Sequence, residues 1–370
     1  MTDRDYIKTS EYIIGVLRTV VGGEPLPNKP TDVSWHGVYS LAKHHSLAST
    51  LYSYIEADLL KDAPSELVWH WKKERDIDFV KNVKQTSAFS EITELFTREK
   101  LAFLPLKGFM MKKLYPRPEL RTMADMDIYV SEKQADRARD MLISIGYKCE
   151  RDPNEEEIHD QLLKPPFINV ELHKVLYKGS DFSFEDCTPR EDNPYWYVMK
   201  DEDFFLFMLR HTHKHYTHGG CGIRAVLDFY LYKKAHPEIL TEKVENVIKE
   251  SGLSDFYKKI SALADKWFAA SETGEDIAGF ELFTVTGGTY GTFETRMQVS
   301  IKESGKLKYS LSRIFPPVKI LKKRYKWVRK CVLLVPFAYI VRIVESIFNG
   351  RIKWHLKTAK KANEKNKKTK

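Results

Sequence analysis

Apolar residues recur three and four positions apart from Tyr6 to about Glu99, most clearly over 40–56 and 66–100, with Pro25, Pro27, Pro30 and Pro64 as breaks. That period predicts an N-terminal helical region over residues 1–100. At Leu101 the texture changes. LAFLPL is a short apolar run that predicts a buried strand, and KGFMMKKLYP predicts a turn and a two-turn helix stopped by Pro116. ADMDIYV, at 124–130, predicts a second strand, followed by an amphipathic helix over 132–145 that Gly146 closes. Two further strands are expected, at 157–164 and 167–176. Strand, helix, strand, helix in this order implies an α/β unit, here spanning 101–195.

From Asp201 the helical period returns, through DEDFFLFMLRHTHKHY and IRAVLDFYLYKKA, then over 241–251 and 254–270. A loop rich in Gly and Thr is expected at 284–292. The remainder reads as a C-terminal helical domain over 196–350 and a basic tail over 351–370, without internal repeats.

The chain has 370 residues, 42% of them hydrophobic and 30% charged, which is an ordinary globular balance. Cys149, Cys187, Cys221 and Cys331 lie far apart with no C-x-x-C pair, as expected of reduced thiols in a cytoplasmic protein. The start of the chain shows no secretory h-region. The most apolar run, 331–340 (CVLLVPFAYI), is far shorter than the roughly 20 residues a membrane span needs and contains Pro336, so a buried helical segment is expected instead. The formal charge of +9 is unevenly spread: residues 301–370 hold 21 Lys and Arg against 3 Glu, while the first 300 hold 39 basic against 48 acidic residues. Such asymmetry marks either an arm for RNA or an anionic surface, or a solvated tail.

The first candidate chemistry is Asp125-Met126-Asp127. Two carboxylates two apart on a strand share a face and repel one another, a cost that a divalent cation such as Mg²⁺, or Mn²⁺, reverses. Alone, D-x-D is a weak signal. Lys107 and Gly108 follow a buried strand and open a helix, where a cation and a glycine suit the approach of a phosphate. Arg121 lies four residues before Asp125 and either contacts phosphate with its fork or neutralises the aspartates. Glu171, in FINVELHKVL, shares a strand face with Asn169 and His173 and is the right type for a third carboxylate.

These segments together, LPLKGFMMKKLYPRPELRTMADMDIYV, the helix ending ISIGY, and NVELHKVL, resemble an uncharacterised bacterial nucleotidyltransferase family of the DNA polymerase β-like superfamily. The resemblance extends through LRHTHKHYTHGGCGIRAVLDFYLY and IFPPVKILKKRYKWVRKCVLLVPFAYIVRI, from Leu101 to about Ile347. It implies an α+β fold, a small mixed sheet with helices on one side and helical regions flanking the core. It also implies a metal held by Asp125, Asp127 and Glu171, with a nucleoside triphosphate as co-substrate. The superfamily commonly places Gly-Ser or Gly-Gly after the first strand; here Lys107-Gly108 stands there.

On a helix His211, His215 and His218 would share a face at zinc-compatible spacing, but no carboxylate or Cys matches them, so His211 and His215 are expected to line the cleft or bond Asp228. Arg224 and Asp228, four apart, read equally as an ion pair or as a triphosphate contact through Arg224. The pair His44–His45 reads as structural. The expected activity is metal-dependent transfer of a nucleoside monophosphate to an acceptor hydroxyl or phosphate of a small molecule, peptide or sugar. The rivals are a toxin-like transferase acting on tRNA and a non-catalytic nucleotide-binding protein.

Overall fold

The computed structural model describes residues 1–55, 57–150, 159–177, 180, 182–269, 271 and 274–348; the basic tail over 351–370 lies outside the described residues. The N-terminal helices are α1 (Asp3–Gly22), α2 (Trp35–His44), α3 (Ala48–Tyr52) and α4 (Ser65–Arg98). Local chemistry sets their ends. Thr2 and Asp5 form a capping box on α1, and the Ser34 hydroxyl accepts the Gly37 amide at the start of α2. An aromatic cluster ties the helices together: Trp71 of α4 is fully buried against Trp35, Tyr39 and Tyr52, and its indole N–H donates to the Ala48 carbonyl at 2.7 Å.

The main sheet holds β1 (Leu104–Pro105), β2 (Met126–Tyr129), β3 (Lys148–Glu150), β4 (His159–Lys164) and β5 (Ile168–His173), in the order β1-β2-β5-β4-β3. Only the β2–β5 pair is parallel, so the sheet is mixed. Two helices, α5 (Lys107–Lys112) and α6 (Glu132–Ser144), follow β1 and β2. Gly146, at φ 95°, ends the second as expected. Alternation gives the sheet two unlike faces. Met126, Ile128, Leu162, Val170 and Leu172 pack on Ala88, Ile92 and Phe96 of α4 and on Ala135, Ala138 and Leu142 of α6. Each of the larger of these side chains, Val, Leu, Ile, Met and Phe, contributes about 1.5–3 kcal/mol when removed from water. The opposite face carries Asp127, Glu171, His173 and His159.

A small second sheet, β6 (Cys187–Arg190) with β7 (Asn193–Met199), is joined to the first by a bridge between Phe103 and Trp196. Helices α7 (Asp201–Thr217), α8 (Gly222–Ala235), α9 (Glu242–Glu250) and α10 (Ser254–Phe268) follow. His45, buried, accepts the Ile223 amide through Nδ1 at 2.9 Å, which is the structural role its sequence setting suggested.

The chain forms two compact units, one of Met1–His213 with Ile223–Glu275, the other of Lys214–Gly222 with the described residues from Asp276 on. The second unit holds α11 (Ala278–Gly287), α12 (Phe293–Ser304), α13 (Lys306–Ile314), α14 (Val318–Arg324), α15 (Lys326–Lys330) and α16 (Val335–Phe348). Two expectations fail here. Residues 284–287 belong to α11 rather than to a loop, and within it the Thr284 and Thr286 hydroxyls donate to carbonyls one turn back. The helix stops where backbones meet: a Cβ on Gly287 would sit 2.7 Å from the Gly219 carbonyl oxygen. The run at 331–340 is not a buried helix. It splits into a short 3₁₀ turn and the start of α16, and Leu333, Phe337 and Ile340 are 89%, 58% and 58% exposed. No helix among the described residues is long and apolar enough to cross a membrane.

Candidate active site

The loop between α5 and β2 carries Arg121 and delivers Asp125, which precedes β2 rather than lying within it. The N-terminal helices fix this loop. Thr50 donates its hydroxyl to the Leu120 carbonyl at 2.6 Å, Gln85 its amide to the Met123 carbonyl at 3.3 Å, and Thr122 its hydroxyl to the Ser46 carbonyl at 3.2 Å. From α8, Arg224 donates Nη1 to the Thr122 carbonyl at 3.1 Å. The D-x-D segment is therefore placed by side chains more than thirty residues away on both sides.

Asp127 and Glu171 are register partners on the parallel strands β2 and β5, so their carboxylates stand side by side on the polar face. His173, two residues beyond Glu171, lies over both: its Nε2 is 3.1 Å from Asp127 Oδ1 and 3.6 Å from Glu171 Oε2. His159, on β4, puts its Nε2 3.6 Å from Glu171 Oε2. Burial alone would pull the His173 imidazole down, but the bonds to Asp127 and Glu171 outweigh it and raise its pKa to about 9. Burial would likewise raise Asp127; the His173 bond reverses that and holds it below the usual carboxylate range. Among the described residues Asp125 has no such bond. Burial, then the charges of Asp127 and Glu171, push it up to about 6.

Cations surround these carboxylates. Lys107, half-buried, is lowered to about 8 by burial, with Asp127 acting against that fall. Lys81 of α4 is also lowered by burial, with Asp78 and Asp125 as acidic neighbours that oppose the shift. Arg224 is electrostatically coupled to Asp125 as well. Lys81 and His159 escaped sequence reasoning. Lys81 sits on a helix assigned to a separate region, and His159 on a strand given no chemical role; the available signal was that His159, like His173, lies in a strand of polar alternation.

Other residues fall elsewhere. Arg121 is buried and forked onto Asp228, with Nε–Oδ1 at 2.9 Å and Nη2–Oδ2 at 2.8 Å, while Tyr115 donates to Asp228 Oδ1 at 2.8 Å. Among the described residues the ion-pair partner of Asp228 is thus Arg121 rather than Arg224, because the loop, not the next turn of α8, brings its cation into the core. Gly108 is occupied territory too: a Cβ there would collide with Met123 Sδ and lie 3.7 Å from Arg121 Nη1. Any side chain at 108 would require Met123 to shift. On α7, His211 meets the edge of the Phe207 ring, and just past the helix the Nδ1 of His218 lies 2.6 Å from the Lys214 carbonyl oxygen. Among the described residues, His159, Glu171 and His173 form the group able to hold a metal, and His211, His215 and His218 do not form one.

A family model described as an uncharacterised nucleotidyltransferase matches residues 31–269. The match begins before Leu101, so it takes in α2 and α4, and it ends before the stretch from Ile314 on that the sequence comparison had included. No curated protein and no solved structure matches the chain.

Proposed function

The chain belongs to this nucleotidyltransferase family, and from that premise we propose that it is a metal-dependent transferase acting at Asp125, Asp127 and Glu171. The observation that carries the reading is the in-register pairing of Asp127 with Glu171 beside Asp125, whose carboxyl burial first, and then the charges of these two, raise to about 6. Three acidic groups packed together, with Asp125 bonded to no cation among the described residues, fit a divalent ion well. Asp125, Asp127 and Glu171 offer only oxygen ligands, as Mg²⁺ prefers and Mn²⁺ accepts. When bound there, the ion neutralises triphosphate oxygens and stabilises charge on the phosphoryl group in transit.

The chain's own residues supply the rest. Lys107, Lys81 and Arg224 ring the carboxylates and would hold the β- and γ-phosphates, orienting the α-phosphorus toward the acceptor. An acceptor oxygen forms the new bond to the α-phosphorus, the α–β bridging bond breaks, and pyrophosphate leaves. Glu171 either completes a metal site or accepts the acceptor's proton, and His173 holds Asp127 ionised and oriented. The acceptor is a hydroxyl or phosphate of a small molecule, peptide or sugar. A tRNA acceptor is the second reading, favoured by the 21 basic residues over 301–370.

The test is incubation of the purified chain with each labelled nucleoside triphosphate, Mg²⁺ and fractionated cell extract. A labelled product that disappears in Asp127→Asn supports the reading; no label from any of the nucleotides, with the triphosphate bound but intact, would defeat it.

A further inference from the structure

Three side chains on the polar face of the sheet offer nitrogen as well as oxygen donors: His159 on β4, and Glu171 and His173 on β5. His159 and His173 are register partners across an antiparallel pair, so their rings share a side of the sheet, with centroids 5.0 Å apart. Glu171 precedes His173 by two and shares that face. Its Oε2 lies 3.6 Å from Nε2 of each histidine. One donor atom from each residue lies within 4.8 Å of the other two. An ion with tetrahedral ligands at about 2.0–2.2 Å spaces its donors about 3.4 Å apart. The strands therefore need not move to close around one. An ion on His173 Nε2 takes the place of that nitrogen's 3.1 Å bond to Asp127 Oδ1, which leaves Asp127 beside the group as a further oxygen donor.

The donor set decides the kind of ion. Mg²⁺ takes oxygen ligands in near-ideal octahedral geometry, whereas two imidazoles with one carboxylate suit zinc and its first-row neighbours. We infer that His159, Glu171 and His173 form a second divalent-metal site, selective for a zinc-like transition-metal ion over Mg²⁺, beside the carboxylate site and sharing Glu171 with it. The inference rests on the proposed transferase site only through that shared residue. An ion held there brings a second positive charge to the face that carries Asp127, the arrangement two-metal phosphoryl chemistry employs.

The experiment is titration of the metal-stripped, full-length protein with Co²⁺, a coloured stand-in for zinc, without nucleotide. The expected result is a visible absorption band that saturates near one equivalent, persists in a large excess of Mg²⁺, and is lost on adding Zn²⁺. His159→Gln, at a half-exposed strand end, is expected to weaken Co²⁺ binding at least about ten-fold while leaving the circular dichroism spectrum unchanged, as loss of a direct ligand should cost no less than loss of an outer partner. His173→Gln provides the second variant. Unchanged Co²⁺ affinity in both, or removal of the band by Mg²⁺, overturns the site. Because no nucleotide is present, the two readings fail separately. A protein that binds Co²⁺ through His159 yet transfers nothing loses only the transferase reading; one that transfers with Mg²⁺ and binds Co²⁺ equally well in both variants loses only this one.

Discussion

Asp127 Oδ1 lies 3.1 Å from His173 Nε2 on the neighbouring parallel strand, and this contact makes two aspartates two residues apart behave in opposite ways. Asp127, bonded by the imidazole, is held below the usual carboxylate range, while Asp125, buried without such a bond among the described residues and facing the charges of Asp127 and Glu171, is pushed up to about 6. One of the pair is thus firmly ionised at neutral pH, and the other stands close to the pH at which a proton competes with a metal ion.

Asp127→Asn removes the negative charge that His173 and Asp125 both feel. The His173 pKa is expected to fall well below about 9, because burial then acts with only Glu171 opposing it, and Asp125 is expected to fall below about 6 as one of its acidic neighbours disappears. NMR titration of imidazole and carboxyl resonances reads both shifts. Nucleotidyl transfer should drop by about 10²-fold or more, on the scale of losing a charge-stabilising group in the transition state. Shifts in the opposite directions would refute the electrostatic account.

Lys107 carries the pH prediction. Burial lowers it to about 8, so its charge is present below that pH and lost above it. If it holds triphosphate, kcat/KM for the nucleotide should decline above about pH 8, since that ratio reports the free enzyme, and kcat should change less. Lys107→Arg should move the decline to higher pH, because guanidinium stays charged. The stability effect has its own sign. A lysine whose folded pKa is depressed binds fewer protons folded than unfolded, so the wild type should gain stability as pH rises from about 8 toward the ordinary lysine value. A pH series of thermal melts on wild type and Lys107→Met separates this from the kinetic effect.

Much of this arrangement was legible in the sequence because it depends on short-range periodicity. Asp127 and Glu171 each sit at alternate positions of a strand with buried neighbours, Met126 and Ile128 for one and Val170 and Leu172 for the other, and alternation alone assigns them to the polar face. That the two strands are parallel neighbours, which puts the residues in register, is a long-range fact that spacing does not encode. The same limit hid Lys81, which reaches Asp125 from a helix more than forty residues earlier, and the Arg121–Asp228 pair, separated by 107 positions. Strands β6 and β7 were missed because a partly exposed two-stranded ribbon lacks a strong apolar period. The run at 331–340 misled by composition: its apolar residues are mostly exposed, and hydropathy does not say which surface covers them.

The buried Arg121–Asp228 pair predicts an acid limb in stability. Burial raises Asp228, but Arg121 more than offsets it, and the folded pKa lies below the ordinary value. A depressed carboxylate contributes stability that is fully present above its unfolded pKa, about 4, and is lost as pH falls through the folded value. Asp228→Asn should cost about 3–5 kcal/mol at neutral pH, since it leaves the Arg121 charge buried without its partner, and should flatten the melting temperature between about pH 4 and the acid end. Arg121→Met with Asp228→Leu should recover most of that loss, because no uncompensated charge remains. Equal instability of the single and double variants would mean that the fork acts through its geometry on the loop rather than through charge.

Gly108 separates packing from ligand approach. A glycine after the first strand invites the interpretation that phosphate must come near the backbone, yet the space its side chain would fill is taken by Met123, with Arg121 Nη1 3.7 Å away. Within helix α5 an alanine would ordinarily be favoured over glycine by about 1 kcal/mol, so a loss of stability on Gly108→Ala is diagnostic of collision. We expect a net cost of about 1–3 kcal/mol, the usual result of adding a methyl group to a filled core. Met123→Ala should itself cost about 2–5 kcal/mol through the cavity it leaves. The added methyl of Gly108→Ala then occupies part of that cavity, and the double variant should be more stable than the sum of the singles by about 0.5–3 kcal/mol, the range for residues in contact. Denaturant unfolding of the four proteins measures the coupling. If the glycine instead serves phosphate, Gly108→Ala will leave the melting temperature unchanged or raise it, raise KM for the triphosphate, and show no coupling to Met123.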